Sequence, residues 1–144
     1  MTARATVPAQ VGAILGDREH ALLLVMGVRD SGLLLTNRRI LAWRGPGIAP
    51  PLALELVGSA QSDRGLPQPT LVVAPDVPDA IPIVLLLDPA RRRMADKLLN
   101  VLPGVLTEFE RAAGRDIGVE RVSAGDFKSI RFIRPSHESH DARG

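Results

Sequence analysis

The sequence predicts a mainly β fold with one α-helix towards its C-terminal end, and three observations carry that reading. Short apolar runs punctuated by glycine and proline follow one another over residues 20–87, too brief for confident helices. The segment Gly32-Leu33-Leu34-Leu35-Thr36-Asn37-Arg38-Arg39-Ile40-Leu41-Ala42-Trp43 sets two such runs on either side of a polar break, which is the pattern of a hairpin. Beyond Asp88-Pro89 the apolar spacing changes to three and four, the period of a helix with one buried face. Antiparallel strands followed by one amphipathic helix predict a curved sheet whose open end the helix plugs.

The elements follow in order. Residues 1–16 form a small-residue arm in which Val11, Ile14 and Leu15 suit one helical turn that Gly16 stops. Residues 20–28 lie between Gly16-Asp17 and the turn Asp30-Ser31-Gly32, which favours a mostly buried strand. Residues 33–36 and 39–44 pair through Asn37-Arg38, because asparagine tolerates the left-handed backbone of tight loops. Gly45-Pro46-Gly47 and Pro50-Pro51 make a rigid loop. Residues 52–56 alternate as one strand with Glu55 towards water, and residues 61–68 form a polar loop. Residues 70–74 and 81–87 complete six strands, with Pro82 at an edge or a strand start, where no donor is needed.

Asp88 suits an N-cap and Pro89 the first helical position. Met94, Leu98, Leu102, Val105, Phe109 and Ala112 make the apolar stripe, Pro103 is expected to kink or split the helix, and Gly114 ends it. The domain organisation is an arm over 1–16, the domain with its helix over 17–114, and an extension over 115–144. Within that extension Phe127, Ile130, Phe132 and Ile133 form a docking segment or short strand, and the last ten residues are expected to be mobile unless a partner holds them.

A chain of 144 residues supports one core that buries roughly two-thirds of its unfolded surface. The absence of cysteine excludes disulfides, thiolate nucleophiles and cysteine-type zinc sites, and favours a reducing, cytoplasmic location. No apolar run reaches the roughly 18–20 residues that span a bilayer, and no signal-peptide core is seen at the N-terminus. The pI near 9.9 coexists with a formal charge of only +2, since tyrosine and cysteine are absent and arginine far outnumbers lysine. Residues 17–88 carry six Arg against eight Asp plus Glu, a net of −2, so no basic face is implied. With one Trp, three Phe and no Tyr, stacking platforms for nucleic acid are also lacking, and nucleic acid is not expected as a partner.

The hairpin over residues 32–43 resembles the Gly-apolar-Thr-Asn-x-Arg-apolar-aromatic hairpin near the start of bacterial pleckstrin-homology-like (PH-like) and GRAM-type domains. The lead-in Leu15-Gly16-Asp17-Arg18-Glu19 is similar to the apolar-Pro-Gly-x-Glu lead of that family, and Pro51-Leu52-Ala53-Leu54 to its Pro-Leu-x-Leu strand. The resemblance runs from about Gly16 to Leu102. It departs from the family in having six strands where seven are usual, in the proline-broken 61–70 region, and in everything after Gly114. It implies a PH-like, partly open barrel capped by the helix, and a non-enzymatic protein-interaction or scaffolding module that self-associates or meets a protein partner. The expected alternatives are an anionic lipid or phosphate binder and a small structural subunit of a large assembly such as a viral particle.

Candidate sites are few. Arg91, Arg92 and Arg93 sit in the first helical turn, where the macrodipole disfavours cations, so either a solvated face or contact with an acidic partner or headgroup explains them. Near an anionic membrane each basic residue contributes about 1 kcal/mol, which makes three alone a weak anchor. Arg38, Arg39 and Arg44 form the second cluster; eukaryotic PH domains bind inositol phosphates at an early hairpin, and here turn chemistry and surface pairing compete with that role. Trp43 and Phe109 are expected in the core. Open sheet edges near Pro46, Pro51 and Pro82 suit an added strand, which residues 127–134 of the same or a neighbouring chain would supply. His137-Glu138-Ser139-His140-Asp141 has metal-ligating types in a polar terminus without rigid support, and is expected to be solvated. His20 has no readable catalytic partner, and no nucleophile-elbow, Walker or dinucleotide glycine pattern is present. No enzyme activity, cofactor or metal is expected.

Overall fold

Two antiparallel sheets share one core with a single long helix, and the computed structural model describes residues 7–65 and 67–134. The first sheet joins β1 (Ala21–Met26), β2 (Ser31–Thr36), β3 (Arg39–Arg44) and β4 (Gly47–Ile48) in that order, with β5 (Leu52–Ala53) also on β3. A 3-10 turn at Leu54–Leu56 leads into β6 (Val57–Asp63), followed by β7 (Thr70–Pro75) and β8 (Ile83–Leu86). After the helix α2 (Arg93–Ala112) come β9 (Gly118–Ala124) and β10 (Phe127–Ile133), and the second sheet runs β8-β7-β6-β10-β9. The architecture is therefore mainly β, two antiparallel sheets and a helix with no closed barrel, and the described residues hold ten strands where six were expected.

The hairpin has the expected register, with Gly32 opposite Trp43 and Leu35 opposite Ile40. Its uninterrupted leucine run is explained by burial on both faces, since every residue of β2 is buried. Leu33, Leu35 and Ile40 enter the main core, while Leu34, Leu41 and Trp43 form a second cluster with Val11 of the short arm helix α1 (Ala9–Gly12).

Three expectations are corrected. Residues 52–56 are not one strand, because the backbone turns through the 3-10 segment; Glu55 is exposed as expected. The loop expected over 61–68 begins inside β6, whose Gly58, Ser59, Ala60 and Ser62 have low strand propensity yet are held by ladders to β7 and β10. Pro103 does not split α2: Leu98, Leu99, Leu102 and Leu106 bury both halves in one core, which outweighs a lost hydrogen bond. The buried stripe follows Ala95, Leu98, Leu99, Leu102, Leu106 and Glu110; Met94, Val105 and Phe109 are half-buried at its side, and Ala112 is exposed.

The helix ends are built as their residues require. Asp88 Oδ1 accepts from the Ala90 amide at 2.9 Å, and Pro89 opens a 3-10 turn that precedes α2. At the far end Gly114 takes φ +77°, its amide bonds the Arg111 carbonyl, and the Arg115 amide bonds that of Glu110, a Schellman closure. Gly125, with φ +61°, opens the two-residue loop of the β9–β10 hairpin. No helix among the described residues is long and apolar enough to cross a membrane.

Candidate functional site

The polar residues of the β2–β3 hairpin satisfy one another. Glu19, buried, receives Arg39 Nε at 2.9 Å and Nη2 at 3.0 Å, the Thr36 hydroxyl at 2.8 Å and the Gly16 amide at 2.9 Å. The Arg39 hydrogen bonds, outweighing the upward push of burial, bring its carboxyl from an ordinary 4.5 to about 2. The same bonds raise the Arg39 guanidinium. Asn37 Oδ1 accepts from the His20 amide and its Nδ2 donates to the Arg18 carbonyl, so the lead-in and the Thr-Asn-Arg-Arg turn form one lock. Arg39 is thus engaged within the fold, whereas Arg38 and Arg44 are exposed.

The remaining candidates fall in separate places. Arg91, Arg92 and Arg93 are exposed at the head of α2, and Arg92 Nε donates to the Pro89 carbonyl at 2.8 Å. Arg92 and Arg93 border a hollow of about 420 Å³ with Arg64 and Asp126, and Arg64 pairs with Asp96 at 3.1 Å. Arg38, Arg39 and Arg44 take no part in that hollow. Ile130 and Phe132 are buried in the main core and Phe127 is half-buried; their strand pairs with β6 of the same chain, Ile130 opposite Ala60. The His137 to Asp141 cluster and the terminal stretch 135–144 lie outside the described residues, among which no group of metal-ligating side chains is found.

Two features escaped the sequence reading. One is a buried ion cluster: Glu110 receives Arg115 Nε at 2.6 Å and Arg134 Nε at 3.0 Å, and Arg134 also donates to the carbonyls of Val57 at 2.6 Å and Leu54 at 2.9 Å. Burial pushes the Glu110 carboxyl up, but the two guanidiniums more than reverse this and hold it below the usual range. The available signal was its position, four residues after Leu106 on the apolar face.

The other is a groove of about 1280 Å³ between β3–β5 on one wall and β7–β8 on the other. Gly27 allows the walls to meet at one end, since a Cβ there would lie 2.6 Å from Leu85 Cδ1 and 2.7 Å from the Leu86 carbonyl oxygen. Leu52, Ile83 and Leu85 form part of its floor, while Ile81, Val84, Leu56 and Val77 leave large apolar surface exposed along it. Ile81 is 87% and Val84 49% exposed. Trp43 also borders the groove, and its buried Nε1–H has no acceptor among the described residues. Comparison with protein-family models, curated proteins and solved structures returns no match for the chain.

Proposed function

We propose that the chain is a non-enzymatic, PH-like interaction module that holds an extended apolar segment of a protein partner along β8. The observation that carries this reading is the apolar groove beside a sheet edge. Val28 donates to the Leu86 carbonyl, so the backbone groups of Leu86 face away from β7, and strand alternation turns those of Val84 the same way. Val84 has no backbone partner on that side among the described residues, which suits strand addition with side chains lodged in the groove. The PH-like part of this reading rests on the sequence resemblance of the Gly32–Trp43 hairpin and its Leu15–Glu19 lead-in.

A fluorescein-labelled Val-Thr-Val-Thr-Val peptide is expected to bind saturably by anisotropy. Val84→Lys, on the exposed edge, is expected to weaken binding by about tenfold or more without changing thermal unfolding. Undiminished binding by the variant would remove the groove from the account.

A second reading, anion binding at the head of α2, is favoured by the gathering of Arg64, Arg92 and Arg93 around one hollow. It predicts cosedimentation with phosphatidylserine vesicles at low salt that falls several-fold when Arg91, Arg92 and Arg93 are all changed to Glu. Failure of the parent protein to sediment with the vesicles would eliminate it.

A further inference from the structure

We infer that the groove takes the C-terminal end of a partner chain and reads its free carboxylate; this rests on the groove reading above. The β8 edge is open at Val84 but closed at Leu86, where Val28 occupies the place of a neighbouring strand at 2.9 Å. A segment laid along Val84 meets Val28 and must stop or turn away there. Two guanidiniums stand at that closed end. Arg29 follows Val28, and Arg44 pairs in register with Ser31; both border the groove, both are exposed, and neither makes an ion pair among the described residues. The nearby carboxylate of Asp30 belongs to a residue that does not line the groove, and its backbone carbonyl is spent on the Gly45 amide at 2.8 Å.

The turn that carries Arg29 is strained. Arg29 and Asp30 hold φ of +55° and +59°, a left-handed conformation that glycine adopts most readily, and glycine occupies neither position. At the opposite end of the groove stands Asp79, before Ile81. The groove is therefore polarised, cationic where it closes and anionic where it opens. A strand parallel to β8 places its carboxyl terminus between the arginines and its earlier residues near Asp79. An antiparallel strand would present its cationic amino terminus to the arginines. A peptide also satisfies the edge groups of Val84, which an acyl chain of the same charge leaves unpaired.

The test uses the full chain and two N-terminally labelled Val-Thr-Val-Thr-Val peptides, one ending in a free carboxylate and the other in an amide. The free acid is expected to bind about tenfold or more tightly than the amide, and the Arg29→Gln/Arg44→Gln double variant to bind both at the amide level. Equal binding of the two peptides by the parent, abolished by Val84→Lys, would overturn carboxylate recognition while leaving the groove as a peptide site. Binding of neither would overturn the groove reading itself. Laurate displacing the free-acid peptide at concentrations well below the peptide's own dissociation constant would overturn the peptide occupant in favour of an acyl chain.

Discussion

Glu110→Ala is expected to destabilise the protein by about 3–5 kcal/mol and to lower its melting temperature by roughly 10 °C. The carboxylate is fully buried and is the close partner of Arg134, whose side chain is only 16% exposed, so truncation leaves that desolvated guanidinium with the exposed Asp76, 3.9 Å away, as its one remaining counter-charge among the described residues. Arg134 in turn ties β10 to the Val57 and Leu54 carbonyls, which makes the cluster a clasp between the end of the helix, the last strand and the start of β6. The measurement is urea unfolding of the parent and the variant. A loss under about 1 kcal/mol would mean that water reaches Arg134 readily and that the clasp is incidental. The double variant Glu110→Leu/Arg134→Met removes both charges together and is expected to recover part of the loss, because the desolvation penalty disappears with the pair.

Acid is expected to remove stability in a window that Glu19 defines. Its folded pKa, about 2, lies below its ordinary 4.5, so the unfolded chain binds the proton first and stability falls as pH drops. The Glu19 contribution is complete above about pH 5 and is lost progressively as the pH approaches 2, amounting to about 3 kcal/mol. Glu110, also held below its usual range, acts with the same sign. Unfolding free energies measured between pH 7 and pH 2.5 are expected to fall less steeply for Glu19→Gln than for the parent. Parallel curves would show that the Arg39 pair is not what the acid breaks.

Where sequence and structure agree, local chemistry specified the element. Asp88-Pro89 set the 3-10 turn that leads into the helix and Gly114 set the helix end, each through backbone preferences that act within a few residues, whereas Asn37 takes no positive φ at the hairpin loop and works through its side-chain bonds to His20 and Arg18. The second sheet was less legible because its central strand, β6, is built between Val57 and Asp63 of Gly, Ser, Ala and Gln, residues whose extended conformation is imposed by neighbours on both sides. β9 was missed for a related reason: six of its seven residues are exposed, so no apolar alternation announces it, and Glu120 and Arg121 serve instead to discourage edge pairing. The arginines were visible as types but not as environments. Arg39 lies inside a lock, Arg134 inside a clasp, and Arg29 and Arg44 beside a groove, and those distinctions depend on residues 20 to 80 positions away.

The placement of β10 between β6 and β9 has a temporal consequence. Ile130 pairs with Ala60 across 70 positions, so a chain emerging in order must wait about 4–14 s at ordinary translation speeds before the middle of that sheet can close. Until then one side of β6 is an unclaimed edge, and nascent chains in this state are the ones most exposed to chaperone capture or mispairing with each other.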